Sequence, residues 1–178
     1  MEPRPVSHSY AVLVHSLGPT DANSAGFVHG GVIMKLCDEV AAIAGVRHSA
    51  TRVVTAGMDR MTFLEPVNVG DLLSCSATVN AAWRTSMEVG VRVEAENVRS
   101  RETTHTSTAY LTMVALDENG KPVDVPPIAA ESEAEKRRER EAQLRRSNRL
   151  TERDQIVLER GDMRGGTLPG IRPTAPPG

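Results

Sequence analysis

Residues 27–45, FVHGGVIMKLCDEVAAIAG, constrain this chain more than any other stretch. Val32, Leu36, Ile43 and Ala44 recur near helical spacing, strong helix formers lie between them and no proline interrupts, so the stretch predicts a long helix. Only Lys35, Asp38 and Glu39 break its apolar surface. A helix on the outside of a domain keeps about half its circumference polar, so this one must be wrapped by something else. Gly30 and Gly31 leave backbone N–H groups uncovered at the positive end of the helix dipole, which suits an oxyanion or a polarised carbonyl. Asp38 lies inside the apolar run, where a carboxylate is paired or put to use. It is either a reactive acid or a buried polar contact, including the partner of an arginine across an interface.

What wraps the helix is legible downstream. Leu73, Cys75, Ala77 and Val79 alternate with Ser74, Ser76, Thr78 and Asn80, and Met87, Val89, Val91, Val93 and Ala95 alternate with Glu88, Gly90, Arg92, Glu94 and Glu96. This is the period of half-buried strands. Further strands are expected at 9–17, along a β-rich run at 52–64 and at 103–116, with turn residues between them. One helix followed by long strands on short turns is an α+β pattern, an antiparallel sheet curled around a central helix. Such a sheet leaves an edge and a broad face open, which a second copy of the chain would close.

The 178 residues suffice for one domain with a remainder. We expect an N-terminal arm at 1–8, the domain at 9–128, a charged helical extension at 129–160 and a disordered Gly/Pro-rich tail at 161–178. The extension mixes both signs of charge and has sparse leucines, which reads as a solvated or interface-grazing helix. A formal charge of −2 and 3% aromatics argue against nucleic acid as a partner, and no apolar run is long enough for a bilayer, so no membrane association is expected either. Residues 1–5 lack the core of a signal peptide, and a cytoplasmic protein is expected. Cys37 and Cys75 fit reduced core thiols better than a disulfide framework or a zinc site.

In this order, Asp21-Ala22-Asn23, Val28-His29-Gly30-Gly31, Lys35-Leu36-Cys37-Asp38-Glu39-Val40 and Ser86-Met87-Glu88 resemble the hotdog-fold acyl-CoA thioesterases, and among them the cytosolic acyl-CoA hydrolase branch. The likeness covers about residues 9–128. It implies hydrolysis of a fatty acyl-CoA to a free fatty acid and CoA, with no metal and no cofactor, since the CoA moiety belongs to the substrate. It also implies Asn23 and Asp38 as the catalytic pair, and a homo-oligomer, a dimer or a trimer of dimers, with equivalent sites.

Helix geometry places Asp38 roughly 10 Å along the axis from the Gly30 and Gly31 amides. One thioester carbon cannot meet both, whereas two helices antiparallel across a dimer axis bring the acid of one copy level with the glycines and Asn23 of the other. Asp38 is then the base for water or a nucleophile, and the residues alone leave both open. Each assignment has a plainer rival. Asn23 is also a natural Asx-turn residue, and His29 either contacts substrate or anchors the turn. Arg84, Thr85 and Ser86 either meet the CoA moiety or form a solvated corner. Met34, Met58, Met61 and Phe63 either line an acyl tunnel or fill the core. Two other activities remain open: a hotdog hydratase or dehydratase acting on acyl-CoA through His29 and Asp38, and a non-catalytic acyl-CoA sensor.

Overall fold

The computed structural model describes residues 1–59 and 61–159; the tail expected to be disordered, 161–178, lies outside them. The elements are β1 (Arg4–Pro5), a 3-10 turn (Val6–Ser9), β2 (Ala11–Ser16), a second such turn (Pro19–Asp21), α1 (Gly30–Ser49), β3 (Arg52–Met58), β4 (Thr62–Phe63), β5 (Leu72–Ala82), β6 (Ser86–Glu96), β7 (Thr103–Leu116), β8 (Ile128–Ala129) and α2 (Glu133–Glu159). The main sheet runs β2-β5-β6-β7-β3 with every pairing antiparallel, and β4 continues beside β7. The connection through α1 therefore carries the chain from one sheet edge to the other. This is the α+β hotdog arrangement expected from the sequence.

The alternation sorts the sheet into two faces. Cys75 pairs with Val93, Ala77 with Val91 and Val91 in turn with Ala109, Val79 with Val89 and Val89 in turn with Leu111, and Met87 with Met113. All are buried, in one cluster with Ile33, Leu36, Cys37, Val40, Ala41 and Ala44 of α1. Small residues at the crossing let helix and sheet approach closely, since a Cβ on Gly45 would already lie 3.3 Å from Val53. Both cysteines are free and buried here. The Cys75 sulfur beside Cys37, together with burial, pushes the Cys37 thiol far up and leaves it inert.

The opposite face of the sheet holds α2, and here the expectation of a solvated helix gives way to a docked one. Leu144, Leu150, Ile156 and Leu158, the sparse apolar residues visible in the sequence, stay exposed. The docking is polar. Arg145 donates two hydrogen bonds, of 2.7 and 3.1 Å, to fully buried Glu88 on β6, and its guanidinium stacks 3.6 Å from the centroid of the Tyr110 ring. Trp83 Nε1 donates to Gln143, Arg146 lies over the Trp83 ring, and Ala142 is fully buried. The N-terminal arm is also tied down, because β1 pairs in parallel with β8 and Arg4 donates to the His48 carbonyl at the end of α1.

A bulge at Asn80 turns its side chain under α2, where Nδ2 donates to Glu88. The side chain lies across Gly90, and a Cβ there would sit 2.5 Å from Asn80 Nδ2. Glycine ordinarily weakens a strand. Here Gly90→Ala should instead lower stability by about 1–3 kcal/mol through overpacking, read as a lower urea midpoint at unchanged slope.

Buried His48 is pressed against the Pro126 carbonyl, 2.8 Å from Nε2. Burial lowers its pKa below the ordinary 6.5, the carbonyl opposes the shift, and Arg4 and His8 add to it. The unfolded chain thus takes up this proton at a higher pH than the native one. The stability His48 confers is complete above about pH 6.5 and is lost as pH falls through the lowered value. Equilibrium unfolding from pH 7 to 5 should show this slope, and His48→Gln should flatten it.

Candidate active site

Asp38 emerges half-buried on the flank of α1 that faces β3. The Thr55 hydroxyl donates to its Oδ1 at 2.5 Å and lies 3.4 Å from Met113 Sδ. Among the described residues no cation pairs with Asp38. Lys35, one turn back, pairs with Glu39 at 3.6 Å instead. Beyond Asp38, α1 is uncovered: Met34, Ile43 and Val46 are each at least 40% exposed, as is Val54 on β3. The acid therefore sits on the seam between the covered and open sides of the helix.

At the start of α1, His29 is the N-cap. Its Nδ1 accepts from the Gly31 N–H at 2.9 Å, and its carbonyl accepts from Val32. Of the two amides expected to grip a carbonyl oxygen, Gly31's is thus engaged by the imidazole, while Gly30's has no partner among the described residues. The Phe63 ring closes over this turn, 3.2 Å from where a Cβ on Gly30 would be. Asn23 forms the Asx turn of the rival reading: Oδ1 accepts from Ala25 at 2.9 Å and from Phe27 at 3.3 Å. These bonds fix the amide orientation and leave Nδ2 without a partner among the described residues.

Within one chain Asn23, His29 and the glycines meet at the head of α1, and Asp38 lies two turns away. Arg84, Thr85 and Ser86 are not brought to either place. Arg84 pairs with Asp124 at an exposed corner, the Thr85 carbonyl accepts from Ala115, and the Ser86 hydroxyl accepts from Arg146 of α2 on the outer face. Among the described residues no three His, Cys, Asp or Glu side chains are grouped as metal ligands, and no helix is long and apolar enough to cross a membrane.

A family model described as the thioesterase superfamily matches residues 25–101. A hexameric acyl-CoA thioesterase, solved without ligand, is 38% identical at a TM-score of 0.82, over 85% of this chain and 97% of that one. The chain belongs to the thioesterase superfamily. The acyl-CoA hydrolase of Staphylococcus aureus, solved with butyryl coenzyme A and coenzyme A, is 34% identical at a TM-score of 0.79, over 89% of this chain and 98% of that one. Structures also exist of its variants with an aspartate, an asparagine or a threonine replaced by alanine. The rat cytosolic acyl coenzyme A thioester hydrolase is 41% identical over 139 residues, 77% of this chain, which spans 36% of that protein's length.

Two contacts of this thioesterase-superfamily chain escaped the sequence. Thr55 reads as one more β-branched strand residue, and only its pairing with Asp38, seventeen positions earlier, marks it. Phe63 was visible as a tunnel candidate, but not its seat on Gly30. The capping bond of His29 carries its own consequence. His29→Ala should cost about 1 kcal/mol of stability in denaturant unfolding, whereas His29→Asn, which can also cap, should keep most of it.

Proposed function

We propose that this protein hydrolyses acyl-CoA thioesters to a free fatty acid and CoA, at sites completed by a second copy of the chain. The observation that carries the reading is Asp38, an acid held by a threonine hydroxyl at the edge of the uncovered side of an apolar helix, with no cation paired to it among the described residues. The S. aureus variants support it. The replaced asparagine, aspartate and threonine there are fifteen and seventeen positions apart, the intervals that separate Asn23, Asp38 and Thr55.

In this reading two α1 helices lie antiparallel across their open sides, and Asp38 of one copy meets the Gly30 turn and Asn23 of the other. The Gly30 N–H, at the positive end of the dipole, receives the thioester oxygen and stabilises the oxyanion. Asp38 either removes a proton from the attacking water or attacks the carbonyl itself and forms an anhydride that water opens. Thr55 fixes the carboxylate rotamer, and the free Nδ2 of Asn23 orients the water or the carboxylate. The tetrahedral intermediate expels CoA as a thiolate, which leaves without a strong general acid. The hexameric relative supports a homo-oligomer. In the antiparallel pair the second copy's head of α1 also approaches the end of the sheet that carries Arg84, Thr85 and Ser86, where the CoA moiety would reach. His29 Nδ1, engaged by Gly31, favours hydrolysis over a His–Asp hydratase.

A thiol-release assay across acyl-CoA chain lengths tests this. Asp38→Ala and Asn23→Ala should lose about 10²–10⁴-fold in kcat while keeping the fold and the oligomer, and Thr55→Val should lose less. Wild-type turnover by Asp38→Ala, or crotonyl hydration without thiol release, would overturn it.

A further inference from the structure

We infer that Arg149 of α2 and Asp59 are positioning residues, which pin the edge strand from the outer face of the sheet so that Phe63 stays seated over the first turn of α1. The inference rests on the hydrolase reading only for its effect on turnover.

β3 and β4 form one edge strand along β7, broken between them. Thr55 stands opposite Met113, Gly57 opposite Thr112 and Met58 opposite Leu111, so Ala56 is an extra residue. Thr62 then stands opposite Thr108, and four steps along the edge answer three along β7, which adds a second. One extra residue turns every later side chain to the other face; two restore the first face. The second irregularity therefore cancels the first, so that Thr55 reaches Asp38 and Phe63, eight residues on, still reaches Gly30, both on α1.

Asp59 stands at the second irregularity and is held from two sides. Its N–H donates to the Tyr110 carbonyl at 2.8 Å, and its Oδ2 accepts from Arg149 at 2.6 Å. Arg149 in turn lies 3.7 Å from buried Glu88, which Arg145 and Asn80 also hold. Arg145 and Arg149 are one helical turn apart, so α2 presents both to this cluster. Beyond Asp59 the described residues of the edge strand keep a short pairing, Thr62 with Thr108 and Phe63 with Ser107, and the Leu64 N–H on the Thr106 carbonyl. The ion pair is a side-chain anchor of this stretch, and it comes from the face opposite the candidate site.

The test joins hydrogen exchange of the full-length protein with acyl-CoA chain-length profiles. In Arg149→Met, amides of 61–64 should exchange about tenfold faster while those of β6 stay unchanged. Asp59→Asn should do the same more weakly, and Arg149→Lys, which keeps a cation, should restore most of the protection. Arg149→Met should shift the ratio of kcat/KM for long over short acyl chains in the same direction as Phe63→Ala, and the double variant should go no further than Phe63→Ala alone. Unchanged exchange at 61–64, an unchanged profile, or additive effects in the double variant would overturn the inference. A wild-type protein inert toward every acyl-CoA would defeat the hydrolase reading instead, and the exchange arm would still decide whether Arg149 pins Phe63.

Discussion

A helix with almost no polar face can stand in water only if both of its long sides are covered, and one chain of this protein covers one. The sheet seals the side carrying Leu36, Val40 and Ala44 and stops there. Met34, Ile43 and Val46 remain open, and full burial of such side chains is worth about 1.5–3 kcal/mol each. The chain is thus energetically unfinished along α1, and Asp38 lies on that boundary. On the covered side its charge would need compensation from the core; fully in water it would be one more surface acid. The seam gives it a fixed rotamer through Thr55 and leaves its second oxygen for whatever comes across.

The two faces of the sheet are built by different physics. Toward α1 the residues are apolar and small, and their packing tolerates little change of volume. Toward α2 the helix brings hardly any buried hydrophobic residue and is held by arginines, a glutamine and two aromatic rings. An ion pair sunk to the depth of Glu88 and Arg145 adds little net stability, because desolvation offsets the attraction. It does fix where the helix lies, since any slide of α2 along the sheet would strand the Glu88 charge.

These differences decide what could be read from the residues. Met87 to Ala95 and Leu73 to Val79 were legible because each strand has one core face, and alternation is then forced. That α1 exists followed from its apolar spacing, and an Asx turn at Asn23 and an anchoring His29 were among the readings the residues left open. The docking of α2 was hidden because its signal is pairwise: Glu88 and Arg145 are 57 residues apart, and each looks like an ordinary surface charge. The break at Asp59 was hidden for a related reason. No proline marks it, and the side-chain contact made there comes from the far side of the sheet.

The head of α1 bears on the chemistry. A helix start offers several uncommitted N–H groups, yet here His29 takes one through its ring and another through its carbonyl. Gly30 alone remains among the two glycines, and the Phe63 ring shields it from one side. A single fixed amide is a modest oxyanion hole, since removal of one such donor elsewhere costs about 10²–10³ in rate and efficient sites use more than one. The proposed reaction therefore leans as much on the placing of the acid and its water as on that amide. Asn23 Nδ2 has no partner among the described residues, belongs to the same loop and is locked in orientation by its Asx turn. In the two-copy site Asn23 and Gly30 from one chain would face Asp38 and Thr55 from the other, with the Gly30 amide at the oxygen on one side and, on the opposite one, the acid with the water or carboxylate that Asn23 orients. That division explains why the acid and the amides can sit about 10 Å apart along one helix and still act on one carbon.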